Sequence, residues 1–185
     1  WMRESSIHSA QVVGHSLGGK VAMQMALSHA TFVNRLVVAD IAPVAYAGQH
    51  CAVFQALQQV MEADCQSRQA ADAVLAGWIE DPAVRGYLLM GLKRGREAYE
   101  WRCNVRGLLK GYARLCAAPD FDHVFTGQTL FLRGADSNYV RAEHESTMTK
   151  WFSASRLVSL TGAGHWLHTY QPTAFCDEVM RHFTA

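Results

Sequence analysis

Apolar residues along this chain fall into short strand-like runs separated by longer segments with helical spacing. The short runs are Val12-Val13, Leu36-Val37-Val38-Ala39, Thr129-Leu130-Phe131-Leu132 and Arg156 to Leu160. Near-continuous apolar runs of this length, closed by glycine or polar residues, suit strands of a parallel sheet covered on both faces. Between them, Leu17 to His29 is rich in Ala, Met, Val and Leu with few charges, which predicts a helix buried against that sheet. Glu143 to Trp151 predicts a further helix, and Pro172 opens a final amphipathic one through Phe175, Val179, Met180 and Phe183. Arg3 to Ser9 reads as the end of a helix leading into the first strand. Strands alternating with helices argue for a mostly parallel α/β sheet.

The middle of the chain breaks this alternation. From Ala47 to about Pro119 the pattern predicts helices without intervening strands. Val53, Phe54, Leu57, Val60 and Met61 recur at helical spacing, as do Ala71, Val74, Leu75 and Trp78. Asp81-Pro82 is a cap followed by proline at the first helical position, opening a segment with Val84, Tyr87 and Leu88. Val105 to Cys116 predicts one more helix. The expected organisation is therefore an α/β core from residues 1–46 and 120–185, with a helical cap at 47–119 inserted between strands. The apolar faces of that cap read mainly as packing.

The first strand delivers the chemistry. Val12-Val13 runs into Gly14-His15-Ser16-Leu17-Gly18, and a helix follows. Strand, Gly-x-Ser-x-Gly and helix in that order make a nucleophile elbow, a sharp turn that projects the serine from a strained backbone. Gly14 and Gly18 are expected to remove the side chains that would collide there. The helix beginning near Leu17 aims its free N–H groups at charge building beside Ser16, and the Leu17 N–H is the expected oxyanion donor.

A serine hydroxyl needs a base that accepts its proton near neutral pH, and histidine fits. His165 follows the small-residue turn Thr161-Gly162-Ala163-Gly164 after the last strand, 149 residues beyond Ser16. This matches the serine, acid, histidine order of such architectures. His168 is expected to pack beside the site, and His15 to shape its wall. The base in turn needs a carboxylate to hold its tautomer. Asp40, at the end of the strand after the elbow, and Asp136, just beyond the later strand, both compete, and spacing does not decide between them.

Composition narrows the rest. The chain has 185 residues, 50% of them hydrophobic, with a formal charge of +1, which suits a soluble globular protein with a sizeable core. No basic excess points to nucleic acid, and no apolar segment is long enough to span a bilayer. Five widely spaced cysteines without C-x-x-C read as reduced residues of a cytoplasmic protein. Nine histidines show no metal-ligand spacing, so neither a metal nor another cofactor is expected. The elbow arrives by residue 14, before any strand that could flank it or any loop that could give a second oxyanion donor. An additional N-terminal portion is therefore expected.

Gly14 to Gly19, Asp40-Ile41-Ala42-Pro43-Val44, Tyr99-Glu100-Trp101-Arg102, Ser137-Asn138-Tyr139-Val140 and Gly162-Ala163-Gly164-His165-Trp166 together resemble the α/β-hydrolase superfamily. The resemblance covers essentially the whole chain and is nearest to small bacterial carboxylesterases related to the abhydrolase-11 type. In the commoner pattern of that superfamily the acid lies three residues after the glycine ending the late strand, where this chain has Ser137. In the carboxylesterases it resembles, the acid is the aspartate of the D-I-x-P motif, which implies Asp40 rather than Asp136. The resemblance also implies a histidine-glycine oxyanion motif upstream, and none precedes Ser16.

These readings combine into an expected cofactor-independent serine hydrolase. Its substrate would be a small-molecule carboxylic ester or thioester, with Ser16 as nucleophile, His165 as base and Asp40 orienting it. A ligand-binding or partner protein that keeps the fold without turnover is the second class.

Overall fold

In the computed structural model, which describes residues 1–48 and 51–185, strand β1 (Ala10–His15) runs directly into helix α1 (Leu17–Ser28), and β2 (Val33–Ala39) follows. Helices α2 (Cys51–Glu62), α3 (Arg68–Ala76) and α4 (Pro82–Met90) come next, then short strands β3 (Leu92–Arg94) and β4 (Tyr99–Trp101), then α5 (Val105–Cys116). The chain continues through β5 (Thr129–Gly134), α6 (Glu145–Trp151), β6 (Ser155–Leu160), the one-turn α7 (Leu167–Tyr170) and α8 (Pro172–Thr184). It divides into two compact units, one of Trp1–Ala45 with Ala117–Ala185 and the other of Tyr46–Cys116. Among the described residues no helix is long and apolar enough to cross a membrane.

The first unit is built on a parallel sheet of order β1-β2-β5-β6. Its register decides what can meet at the C-terminal ends of the strands. His15 pairs with Ala39, Ala39 with Leu132, and Gly134 with Leu160. The residue after each of the first two strands, Ser16 and Asp40, therefore leaves the sheet at the same edge as Gly134 and the loop following Leu160. Open parallel sheets collect their sites at this edge.

Period-two alternation within β2 and β5 covers both faces. Val37, Ala39, Leu130 and Leu132 point to one side and pack with Leu160, Leu167 and with Phe175, Val179 and Phe183 of α8. Leu36, Val38 and Phe131 alternate with them; Phe131 meets the edge of Phe152 with ring centroids 5.6 Å apart. Each of these leucines and phenylalanines contributes about 1.5–3 kcal/mol relative to exposure.

His182 of α8 is a polar exception in this packing. It is 4% exposed, and its Nε2 has no hydrogen-bond partner among the described residues. Burial holds its pKa below the ordinary histidine value, helped by the nearby charges of Arg156 and Arg35 and opposed by hydrogen bonds to the backbone of Gln128 and Leu36. His144 and His15 are lowered by the same cause. A folded-state pKa below the unfolded one means that the unfolded chain binds more protons in acid. The stability these groups allow is thus complete above about pH 6.5 and is lost as pH falls below it. Urea midpoints taken between pH 7.5 and pH 5 should fall with acidification, and His182→Leu should flatten that slope.

In the second unit Phe54, Leu57, Val60, Ala71, Leu75, Leu92, Trp101 and Val105 form a separate core. Its caps follow from the sequence: Ser67 accepts the Ala70 N–H, and Asp81 accepts the Ala83 N–H ahead of Pro82. Contrary to the expected all-helical insert, β3 and β4 pair as an antiparallel hairpin. Leu92 opposite Trp101 faces the core, and the Trp101 indole N–H donates to the Leu57 carbonyl at 3.0 Å. Lys93 opposite Glu100 forms an ion pair at 3.0 Å. Strands of three residues are too short to display alternation. Trp78, expected on the α3 face, lies beyond the helix end and is 43% exposed. A helix end was expected over Arg3 to Ser9; instead Met2 to Ser6 forms turns, and Ser6 leaves the helical path with φ 55°.

Candidate active site

Ser16 sits where β1 becomes α1, with φ 53° and ψ −121°, a conformation that costs a serine free energy unless its surroundings impose it. They do. Its N–H donates to the Ala39 carbonyl at 2.9 Å, and its own carbonyl accepts the Gly19 and Lys20 N–H groups at 2.9 and 3.2 Å. The turn closes so tightly that a Cβ on Gly14 would lie 2.6 Å from Gly18 C and 2.7 Å from Gly19 N. The second crowded glycine is Gly19, where a Cβ would meet Ile41 Cγ2 at 2.5 Å. Gly18, expected to relieve a collision, has nothing within 4 Å of its Cβ position. Gly14→Ala should therefore destabilise the protein by about 1–3 kcal/mol or more, as overpacking does. Gly18→Ala in the first turn of α1 should be neutral or stabilising by about 0.5–1 kcal/mol. Urea unfolding of the two variants side by side measures the contrast.

Asp40 follows β2 in the same way, with φ 48°, and is fully buried. Its carboxylate accepts three donors from distant parts of the chain. The Gly134 N–H reaches Oδ1 at 3.1 Å, while the Ser137 hydroxyl and the His165 Nδ1–H both reach Oδ2, the latter at 2.8 Å. His165 Nε2 in turn accepts the Ser16 hydroxyl at 3.0 Å. A carboxylate can only accept from Nδ1–H, so this tautomer leaves Nε2 bare toward Ser16. The arrangement can draw a proton from the hydroxyl while the buried carboxylate steadies the resulting imidazolium.

The structure thus brings Ser16, His165 and Asp40 into one hydrogen-bonded chain. Leu17 is the first residue of α1, so its N–H has no acceptor within the helix and lies at the positive end of the helix dipole, next to Ser16. Asp136 is exposed on the outside of its turn, with its N–H donated to the Ala163 carbonyl at 3.0 Å. It does not join the chain of bonds. Sequence reasoning missed the contacts that three residues make here. Ser137 stands where the commoner acid would and donates to Asp40 instead. Tyr139 stacks on the His165 ring with centroids 4.1 Å apart and planes 24° from parallel. His15 bonds the His165 backbone, as described below. Ser137 carried a signal in its distance from Gly134, and His15 in its place within the elbow, where it was expected only to shape the wall. His168 lies beside His15, ring centroids 4.8 Å apart, as expected of a neighbour.

Comparison with known proteins identifies the family and the fold. A family model described as "Alpha/beta hydrolase family" matches residues 4–178. The chain is 34% identical over 174 residues to the sn-1-specific diacylglycerol lipase ABHD11 of Mus musculus, covering 91% of this chain and 57% of that protein. It is 33% identical over 180 residues to Esterase YbfF of Escherichia coli strain K12, covering 95% and 68%. A solved structure titled "Marine microorganism esterase" superposes with a TM-score of 0.92 at 28% identity, over 98% of this chain and 72% of that one. This chain spans little more than half the length of the mouse relative.

Proposed function

From the premise that this chain belongs to the alpha/beta hydrolase family, we propose that it is a serine hydrolase acting on a small-molecule carboxylic ester or thioester. The observation that carries the reading is the continuous hydrogen-bonded line Ser16–His165–Asp40, at 3.0 and 2.8 Å. Relatives named esterase and diacylglycerol lipase support ester cleavage as the reaction class.

In this mechanism Ser16 Oγ attacks the acyl carbon as His165 Nε2 takes its proton. The Leu17 N–H donates to the oxyanion. His165 passes the proton to the leaving alcohol or thiol, and the acyl chain remains on Ser16. Water then attacks with His165 again as base, and Ser16 departs with the proton restored. Asp40 holds the tautomer throughout and stabilises the imidazolium. The steps use no cofactor. Among the described residues no disulfide joins the cysteines, which supports a reducing compartment such as the cytoplasm.

The test is a fluorophosphonate probe followed by mass-spectrometric mapping of the modified residue. Labelling at Ser16 supports an activated nucleophile. A folded protein that stays unlabelled would overturn the reading and favour a ligand-binding role for the same fold.

A further inference from the structure

We infer that His15 is a positioning residue for His165, holding the main chain of the base through a hydrogen bond from its own ring. The inference rests on the serine-hydrolase reading above. His15 Nε2 lies 2.8 Å from the backbone carbonyl oxygen of His165. A carbonyl can only accept, so Nε2 carries the proton and the neutral ring has a single tautomer, with Nδ1 bare.

The placement of the two partners gives that bond its weight. His15 ends β1, while His165 lies in the loop after β6, and these are the two outer strands of the β1-β2-β5-β6 order. No ladder bond joins them. The loop bearing His165 is tied to the Ser16 end of the sheet by the His165 side chain itself and by His15. A base whose backbone drifts by an ångström loses its line to Ser16 even when its carboxylate partner is intact.

The His15 ring is itself fixed on several sides. It lies 4.7 Å from the His165 ring at a 40° tilt, 4.8 Å from His168 edge-on, and 5.7 Å from Trp166. Burial is the main cause holding its pKa below the ordinary histidine value, and the neighbouring His165 and His168 act in the same direction. The bond to the His165 backbone and the charge of Asp40 oppose them. A neutral His15 places no like charge beside His165 when that ring becomes imidazolium.

Three variants separate this role from mere packing. Gln can bring an amide N–H to about the place of Nε2, Asn is too short to reach, and Leu keeps bulk without a donor. Fluorophosphonate inactivation of wild type, His15→Gln, His15→Asn and His15→Leu is followed as maximal rate and half-saturating concentration, at temperatures where each retains native circular dichroism. Asn and Leu should lower the maximal rate about 10- to 100-fold with little change in half-saturation, and Gln should restore it to within about threefold of wild type. If Leu does not fold, the comparison of Gln with Asn carries the test. Equal rates in all folded variants, or Gln no better than Asn, overturn the positioning role while leaving the hydrolase reading intact. Inert wild-type protein overturns the hydrolase reading, and this inference falls with it. Nitrogen-15 NMR gives a readout independent of turnover: a proton on His15 Nδ1 rather than Nε2 would also overturn the inference.

Discussion

Ser16→Ala should lower kcat for hydrolysis of an aryl ester by about a million-fold, with KM changed little. That ratio corresponds to about 8 kcal/mol of lost transition-state stabilisation. The size follows from the way the relay is connected. His165 has no proton to take once the hydroxyl is gone, and Asp40 then stabilises an imidazolium that never forms, so one deletion silences three residues. Alanine leaves the Ser16 backbone bonds to Ala39, Gly19 and Lys20 in place. The folded state should survive, and a thermal melt beside the kinetics separates lost chemistry from lost structure. A variant that keeps turnover within tenfold of wild type would show that another group is the nucleophile.

Asp40→Asn should cost about ten-thousand-fold in kcat at neutral pH. The three donors around the carboxylate dictate the outcome. With the amide oxygen kept toward the Gly134 N–H, the new NH2 faces the Ser137 hydroxyl and His165 Nδ1. Nδ1 must then accept, which moves the imidazole proton to Nε2. That nitrogen would donate to Ser16 instead of accepting from it, and the base is lost without any atom leaving the site. Asp136→Asn, exposed and outside the relay, should stay within about twofold of wild type. Turnover of the two variants under identical conditions measures the assignment directly, and the reverse ranking would make Asp136 the acid.

The elbow was readable because it is local. Val12 to Lys20 holds the strand, the serine, the glycines and the helix start within one stretch, and the steric demand at Gly14 follows from the turn alone. The strands β2 and β5 were readable for a similar reason, as continuous apolar runs closed by Asp40 and Gly134. Choosing between Asp40 and Asp136 was not possible from spacing, because the answer depends on register. Ala39 pairs with Leu132, and this alignment turns the Asp40 carboxylate toward Gly134 and Ser137. Ring contacts were equally hidden. His15 touches the His165 backbone across a sequence separation of 150 residues, and Tyr139 stacks on a ring from another loop. The β3–β4 hairpin escaped because Leu92 and Trp101 are the inward residues of strands with only three positions each. Gly18 misled for the opposite reason: the motif suggests a steric role that the crowded Gly19 performs.

The separations within the relay also bear on how the site comes into being. Asp40 meets Gly134 across 94 residues, Ser137 across 97 and His165 across 125, and Ser16 meets His165 across 149. Contacts this remote form only after the intervening chain has closed its loops, which is slow and entropically costly. The helices flanking the sheet can flicker into existence early, but no partial subset of them assembles the proton relay. Competence is therefore an all-or-none property of the finished sheet, and a molecule able to activate Ser16 is one in which β1, β2, β5 and β6 are already in register.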